Sequence, residues 1–578
     1  MFRTEPKLKF VWLVLIFSVT VTRYLWTFIS KFVIDAITEG QDSARFLITI
    51  GILFAVQVFF TISESYGYSE NWYRYINARF FLIIEKNRKF MTQRFQNLED
   101  KDVMDCYQKA GNATSGNEQG VEGMMRTTER FLTNLSVVVA GLVIMGTLSL
   151  PVVLGMAAIA VLQSLIQNHT NKVCKKKIWD PLATWWRKDN YMAFTFTDFS
   201  AAKDIRMYGL KTFLMNKYKA LGEERLAAAK ENELRWWVCG QIGNLLWAAS
   251  QVGLYAWLIY CVVQKDLSVG NFTLYLGSAA TFFSYMVSVL GNITDLLAKS
   301  REVDDFRSFM DIDADLREGS DPVPPCDNYE FTFEDVWFKY PNAEEYAIKG
   351  LNLTVKAGEK LAVVGQNGAG KSTFIKLLLR LYEPTKGRIL LNGIDVSTFD
   401  RRDYYRLFSP AFQDVCLFAF PLSNNVSMTI TDATDKERAL KSLQDAGMEE
   451  KVAELAKGID TEVLKVVYDD GVDFSGGEKQ KIALARALYK DAPVIVLDEP
   501  TAALDALAES RLYREFDRLV SGKTAIYISH RLSSTQFCDH VAMFRDAELA
   551  EYGTHESLLE KGGAYSEMFQ VQAQYYVE

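Results

Sequence analysis

Six long apolar runs dominate the first 300 residues of this 578-residue chain. They cover residues 10–37, 45–70, 131–149, 150–172, 238–263 and 271–298. An α-helix needs about 20 mostly apolar residues to cross a bilayer, and each run reaches or approaches that length. The first run has neither the short core nor the small-residue cleavage site of a signal peptide. We therefore expect an all-α domain of six transmembrane helices, surrounded by membrane lipid.

Basic residues mark one side of this predicted membrane domain. They precede the first run and follow the second, fourth and sixth: Arg3, Lys7, Lys9, Lys86, Arg88, Lys89, Arg94, Lys172, Lys175, Lys176, Lys177, Lys299 and Arg301. The connections on the other side are short. Because short loops rich in lysine and arginine stay in the cytoplasm, both termini are expected there.

Two connections on the basic side are much longer than a turn. Residues 71–130 and 173–237 are polar and keep a helical apolar periodicity. We predict that helices continue from the membrane into the cytoplasm and bend there, with short transverse helices near 96–100 and within 198–208.

Two charged residues fall inside the predicted spans. Arg23 lies near the middle of the first and Glu64 in the inner part of the second. Charges at such depth are costly and face a cavity or a partner. Either the two side chains pair and hold two helices together, or they line a substrate path; the sequence favours neither.

The composition excludes several other classes of protein. The net charge is −8, whereas nucleic-acid binders carry basic patches, so no nucleic-acid partner is expected. The seven cysteines contain no CxxC pair, which argues against a disulfide framework and a zinc site.

The character of the chain changes near residues 311–328, where three prolines and clustered acids predict a linker. Short β-branched and aromatic runs then alternate with helical patterns, which favours a parallel α/β core. The predicted domains are a transmembrane domain over 1–310 with two cytoplasmic loops, the linker over 311–328, and an α/β domain over 329–578.

A phosphate-binding loop follows one of these predicted strands. Residues 365–373 read GQNGAGKST and fit the pattern GxxxxGK[ST] between a strand and a helix. In this pattern the backbone amides wrap the phosphates, Lys371 reaches the β- and γ-phosphates, and the hydroxyl of Ser372 ligates Mg²⁺. ATP and Mg²⁺ are the expected ligands.

Two further motifs support a nucleotide site. The buried-strand run VIVL ends in Asp498 and Glu499, where Asp498 suits a contact to the metal and Glu499 is placed to polarise a water. Ser475, Gly476 and Gly477 open a helical run and form a second anion-binding helix end. One chain therefore carries two phosphate-binding elements.

The order of these motifs resembles an ATP-binding-cassette (ABC) transporter over nearly the whole chain. Six spans with cytoplasmic extensions, fused to one cassette, resemble an exporter-type (type IV) half-transporter. The predicted fold class is thus multi-domain: an all-α six-helix transmembrane domain followed by an α/β P-loop ATPase. The two predicted bends resemble that family's coupling helices.

The resemblance assigns a role to each motif. Tyr340 resembles the aromatic residue that stacks on adenine, Gln413 the glutamine that contacts Mg²⁺, Asp505 the D-loop aspartate and His530 the switch histidine. With Glu499, His530 is the expected catalytic residue. The expected nucleotide contacts are Tyr340, Gly365, Asn367, Gly368, Gly370, Lys371, Ser372, Thr373, Gln413, Ser475, Gly476, Gly477, Glu478, Asp498 and Asp505, and the expected metal contacts are Ser372, Gln413 and Asp498.

The signature motif departs from the family pattern. Residues 474–478 read FSGGE instead of LSGGQ, so Glu478 places an acid near a phosphate site, with Lys479 beside it. Paired half-transporters sometimes have one altered site. The expected partner is a second half-transporter, either this chain or a paralogous one.

The resemblance implies an ATP-hydrolysing translocase that exports a drug, lipid, peptide or other small molecule from a bacterial plasma membrane. The alternatives are an ATP-gated sensor or channel, and an importer. Importers usually keep permease and ATPase on separate chains, which the fused order here disfavours.

Overall fold

A computed structural model describes residues 5–198, 201–265, 267–312, 319–326, 328–341, 343–498, 522–529 and 532–574. The chain divides into two compact units. The first contains residues 1–91 and 105–312, and the second contains residues 92–104 and 313–578. The short segment Thr92–Met104 is thus grouped with the C-terminal part of the chain.

The first unit is helical, as predicted. The helices between residues 8 and 310 are α1 (Leu8–Thr38), α2 (Ser43–Thr92), α3 (Phe95–Glu99), α4 (Lys101–Asn112), α5 (Gly120–Gly146), α6 (Leu150–Cys174), α7 (Ala183–Thr197), α8 (Ala202–Met207), α9 (Lys211–Lys265) and α10 (Val269–Met310). Of these, α3 and the start of α4 belong to the second unit. Among the described residues, six helices are long and apolar enough to cross a membrane: α1, α2, α5, α6 with the turn after it, α9 and α10.

The predicted helical extensions are present. α2 has 50 residues and α9 has 55, which is more than twice what a bilayer requires. The short helices α3 and α8 lie where transverse helices were expected. The most apolar 18-residue stretch of α2 has no buried residue. Such an apolar surface is typical of a helix that contacts lipid or another chain.

A polar cluster joins three of the membrane helices. Arg23 Nη2 lies 2.7 Å from Glu64 Oε1, and Arg23 Nε donates to the Tyr285 hydroxyl at 2.6 Å. The Thr22 hydroxyl donates to the second Glu64 oxygen at 2.8 Å. The pair between α1 and α2 therefore exists, and Tyr285 ties it to α10.

The second unit contains two sheets. The strands are β1 (Phe331–Phe338), β2 (Ile348–Val355), β3 (Lys360–Gly365), β4 (Lys386–Leu391), β5 (Ile394–Asp395), β6 (Phe408–Ala411), β7 (Val494–Asp498), β8 (Thr524–Ile528), β9 (His540–Arg545) and β10 (Glu548–Gly553). An antiparallel sheet has the order β2-β1-β4-β5, and the larger one has the order β10-β9-β3-β8-β7-β6. In the larger sheet only β10 runs antiparallel to its neighbour.

Helices cover these sheets: α11 (Lys371–Leu378), α12 (Arg401–Arg406), α13 (Leu422–Ser427), α14 (Lys436–Asp445), α15 (Glu449–Glu454), α16 (Gly476–Lys490), α17 (His555–Lys561) and α18 (Ala564–Gln574). One core lies between the two sheets and includes Phe333, Phe374 and Phe544.

Within the segment predicted as a linker, the backbone amide of Asp321 donates to the carbonyl of Thr398 at 3.1 Å, and the carbonyl of Asp321 accepts from the amide of Asp400 at 2.7 Å.

Candidate nucleotide site

The loop between β3 and α11 has a backbone that only glycine permits at two positions. Gly370 has φ 104°, and a Cβ there would lie 2.8 Å from the carbonyl oxygen of Ala347. A Cβ on Gly365 would lie 2.2 Å from the carbonyl oxygen of Phe544. The glycines thus give the loop its tight path into the N-terminus of α11, where free amides favour an anion.

Lys371 occupies the inside of this loop. Its side chain is buried, and its ammonium donates to the carbonyls of Gly365 and Gln366 at 2.9 and 3.0 Å. The next two residues differ in exposure: Ser372 is exposed, while Thr373 is buried with its hydroxyl 3.0 Å from that of Tyr340. The accessible hydroxyl for a metal is therefore that of Ser372.

The topology brings three sequence motifs to one edge of the larger sheet. β3, β6 and β7 run in the same direction, so their carboxyl ends share an edge. The phosphate-binding loop leaves β3, Gln413 follows the end of β6 by two residues, and Asp498 ends β7. Ligands of open α/β sheets bind at this edge. β8 also ends there at Ile528.

Three predicted site residues lie outside the described residues: Glu499, Asp505 and His530. Glu499 directly follows Asp498, and His530 follows the end of β8 by two positions. Their roles remain predictions from the sequence.

Tyr340 lies beside the phosphate-binding loop. Besides the contact with Thr373, its ring packs against Tyr382 with centroids 5.3 Å apart, and the Lys376 ammonium lies 5.2 Å from its centroid. Tyr340 thus lies beside the phosphate-binding loop, and its contact with adenine stays a prediction from the sequence.

The segment around α3 packs on the same aromatic cluster, and the sequence did not predict this. Phe95 contacts Tyr382 edge to face at 5.7 Å between centroids. The Tyr382 hydroxyl donates to Glu99, and Lys376 Nζ lies 3.4 Å from the same carboxylate. Burial raises the pKa of Tyr382, and the hydrogen bond to Glu99 raises it further. Glu99 and Tyr382 are 283 residues apart, so no local motif could reveal them.

The signature residues form the start of α16. Ser475 is the N-cap: its hydroxyl accepts from the Glu478 amide at 3.3 Å, and its own amide donates to Glu478 Oε2 at 2.7 Å. This reciprocal arrangement is a capping box. Glu478 therefore stabilises the helix end that presents Ser475, Gly476 and Gly477.

The cation that faces Glu478 is Lys451, whose Nζ lies 3.4 Å from Oε1. The sequence placed Lys479 beside Glu478, but among the described residues Lys479 forms no ion pair with Glu478. Burial alone would raise the pKa of Glu478, but the hydrogen bonds from Ser475 and the charge of Lys451 lower the pKa overall. Glu478 thus carries a partly neutralised negative charge.

The residues present fit ATP with a magnesium ion. The phosphate-binding loop follows a path that leaves no room for a Cβ at Gly365 or Gly370, and the side chain of Lys371 lies inside the loop. In the described part of the chain, no group of three or more His, Cys, Asp and Glu side chains converges. A magnesium ion would therefore rely on Ser372, Gln413 and Asp498 together with phosphate oxygens, which is its usual coordination.

Residues 348–502 match the ABC transporter family. The match contains the phosphate-binding loop, the signature and the strand that ends at Asp498, so ATP binding and the ATP-hydrolysing class expected from the sequence are confirmed. The six apolar helices identify a multi-pass membrane protein.

Curated relatives and a solved structure are similar over different lengths. The subtilin transport ATP-binding protein SpaT of Bacillus subtilis is 26% identical over 94% of this chain and 88% of its own length. The ATP-dependent lipid A-core flippase of Alcanivorax borkumensis is 34% identical over 56% of this chain, and the chain spans about half of that relative, 55%. The structure of a bacterial Atm1-family ABC exporter with ATP bound has a TM-score of 0.82 at 21% identity, over 98% of this chain and 99% of that one. The exporter fold is confirmed, and the importer alternative is not supported.

Proposed function

We propose that this chain is one half of an ATP-driven exporter of the bacterial plasma membrane, with both termini in the cytoplasm. One observation carries the proposal: the phosphate-binding loop with Lys371, the residue Gln413 and the residue Asp498 all follow the carboxyl ends of parallel strands in one sheet. The described part of the same chain has six helices that are apolar and long enough to cross a membrane. Positive residues on one side of the spans support the orientation.

The residues at the sheet edge divide the work of ATP hydrolysis. Lys371 and the amides of the glycine loop hold the phosphates, and Tyr340 contacts the adenine. Ser372, Gln413 and Asp498 hold Mg²⁺, which when bound neutralises charge on the β- and γ-phosphates. Glu499 polarises the attacking water, and His530 holds the γ-phosphate.

Each ATP site needs a second half-transporter. The helix end at Ser475 is an anion-binding element separate from the phosphate-binding loop, and in the proposed dimer it contacts the γ-phosphate of ATP on the partner. The partner is a second copy or a paralogous chain. ATP binds best to the closed pair, so binding shifts the population and hydrolysis resets it.

The proposed substrate is an amphiphile, a lipid or a peptide. SpaT is named as a subtilin transporter, and the other relatives are named as lipid A-core flippases. The flippase name points to a lipid, and a path between apolar helices can accommodate an amphiphile of that kind.

The test uses the full chain in nanodiscs and then in sealed vesicles. Particle mass and ATPase rate are measured together, with Glu499→Gln and Lys371→Ala as inactive variants and Lys561→Ala, an exposed lysine on α17, as the control. A two-copy particle with turnover that needs Glu499 establishes a homodimer. A monomer, or a two-copy particle without ATPase activity, indicates that the chain requires a paralogous partner. Undiminished turnover in Glu499→Gln contradicts its assigned role, and ATPase activity without uphill flux of any amphiphile would favour a sensor or channel.

A further inference from the structure

A cavity of about 660 Å³ lies between α6 and α9 in the first unit. Its lining residues recur every three or four positions on both helices, so each helix contributes one continuous face. Residues 175–210 connect the two helices, and this connection begins at the end of the cavity where Lys177 lies. The volume lies within the usual range for small-ligand pockets, roughly 300–1,000 Å³.

One end of the cavity is mostly apolar. Its lining comes from Ile166 and Val173 of α6 and Val238 and Ile242 of α9, with His169 and Thr170 of α6 between them. From Ile166 to Lys177 the helix rises ~16 Å at 1.5 Å per residue, and one leaflet of the hydrocarbon core is ~15 Å thick. The cavity is thus about as long as one leaflet is thick. It runs from Ile166 and Ile242, inside the predicted spans 150–172 and 238–263, to Lys177, Glu231 and Arg235 beyond the ends of those spans.

The other end is charged. Lys177, Glu231 and Arg235 line it, and Arg235 donates twice to Glu231 Oε1, at 3.1 and 2.6 Å. Within the described residues Lys177 has no hydrogen bond or ion pair. The Glu231–Arg235 pair is neutral as a whole, so Lys177 leaves this end with one positive charge.

The backbone changes at the charged end. Lys175–Trp179 form a single π-helical turn directly after α6, and such turns in a longer helix frequently mark functional sites. This turn positions Lys177 at the mouth of the cavity. Lys172, Lys175 and Lys176 add further positive charge nearby.

We propose that this cavity binds an acidic phospholipid, with its acyl chain between Ile166 and Ile242 and its phosphate at Lys177. Basic pockets between membrane helices on the cytoplasmic side recognise such headgroups, and this assignment of the leaflet rests on the orientation proposed above. None of the residues that line this cavity belongs to the motifs assigned to ATP.

The test measures lipid retention by the full chain. Nanodiscs contain equal parts of phosphatidylglycerol and phosphatidylcholine in both leaflets, and native mass spectrometry counts the lipids that stay bound. Lys177→Gln should lower phosphatidylglycerol retention about fivefold and leave phosphatidylcholine unchanged. Lys176→Gln, which removes the same charge outside the cavity lining, is the matched control. Ile242→Trp, which fills the apolar end, should displace the lipid with the charged end intact.

Several outcomes would overturn the proposal. Equal losses in Lys177→Gln and Lys176→Gln would indicate general surface charge. Displacement of the lipid by glycerol phosphate alone would indicate a simple anion site. Lipid on single copies but not on two-copy particles would show that a second copy covers the cavity. Both leaflets carry the same lipid, so the measurement does not depend on the proposed orientation. Glu499→Gln should retain the lipid fully, so the measurement does not depend on ATP hydrolysis either.

Discussion

Glu99 accepts a hydrogen bond from the hydroxyl of Tyr382, and Tyr382 packs against Tyr340 beside the phosphate-binding loop. Two contacts thus connect the short helix α3 to the residue proposed to hold adenine. Lys376 strengthens the connection, since its ammonium lies near both rings and near the Glu99 carboxylate. A shift of α3 must therefore disturb the aromatic cluster.

Glu99→Gln should loosen α3 and weaken ATP binding. The variant loses the charge that the Tyr382 hydroxyl and Lys376 face, which costs about 1 kcal/mol. Amide hydrogen exchange over 95–99 should accelerate, and the affinity for ATP should fall by up to about fivefold. Glu85→Gln, which removes a carboxylate paired only with Arg88 on α2, is the control. Unchanged exchange over 95–99 would show that the contact does not hold α3.

The stability contributed by Glu478 should depend on pH. Because the folded-state pKa of Glu478 is below its usual 4.5, the stabilisation is present above pH 4.5 and is lost as the pH falls through the folded pKa. Glu478→Gln keeps the helix cap but loses the pair with Lys451. At pH 7 the loss should be below about 1 kcal/mol, or up to about 2–4 °C in Tm, and it should vanish in acid.

The matched control for that experiment is Glu454→Gln. Glu454 also contacts Lys451, at 3.5 Å, but it takes no part in the cap of α16. A Tm difference that is the same for both variants would assign the effect to the charge of Lys451 alone.

Gly365→Ala should destabilise the C-terminal unit by about 1–3 kcal/mol. The added Cβ would meet the Phe544 carbonyl on the neighbouring strand, which cannot move without distorting the pairing of β3 and β9. Thermal unfolding of the full chain measures the effect. Gly222→Ala in α9, where a Cβ meets nothing within 4 Å, should be neutral or stabilise by up to about 1 kcal/mol. Equal Tm values for the two variants would contradict the close approach.

Removing either partner of the Arg23–Glu64 pair should destabilise the first unit. Among the described residues, Glu64→Gln leaves Arg23 with Tyr285 as its partner, and Arg23→Gln leaves Glu64 with Thr22. Each change should cost roughly 1–3 kcal/mol. The double variant should be less damaging than the sum of the two, because neither charge remains unpaired. Thermal unfolding in nanodiscs tests this. Additive losses would favour a substrate path over a structural pair.

Local patterns predicted most of the fold. Apolar runs gave the six helices because a bilayer demands a fixed apolar length, and the strand before Gly365 and the run ending at Asp498 were recognisable from β-branched residues between turn signals. The mostly parallel larger sheet was predicted from the alternation of strand-like runs with helical patterns. These features depend on neighbours in sequence, where periodicity carries the information.

Contacts between distant segments were not predictable. Glu478 carried an evident charge, yet its partner is Lys451 instead of the adjacent Lys479, because a capping box turns the Glu478 side chain back towards the helix start. Likewise, nothing near Glu99 marks a contact with Tyr382. Surface ion pairs and aromatic edges have no sequence period, so only the fold reveals them.

The continuity of α9 has a consequence for how this chain can change in length. The helix extends ~82 Å at 1.5 Å per residue, with no break between its membrane part and its extension. One inserted residue would turn everything beyond it by ~100° and advance it by 1.5 Å. The side chains that face lipid and those that face protein would then be displaced by more than a quarter of a turn along the rest of the helix. Length variants of this segment should therefore survive only in steps that restore the helical phase, whereas the short connections at 39–42 and 147–149 can accept single insertions.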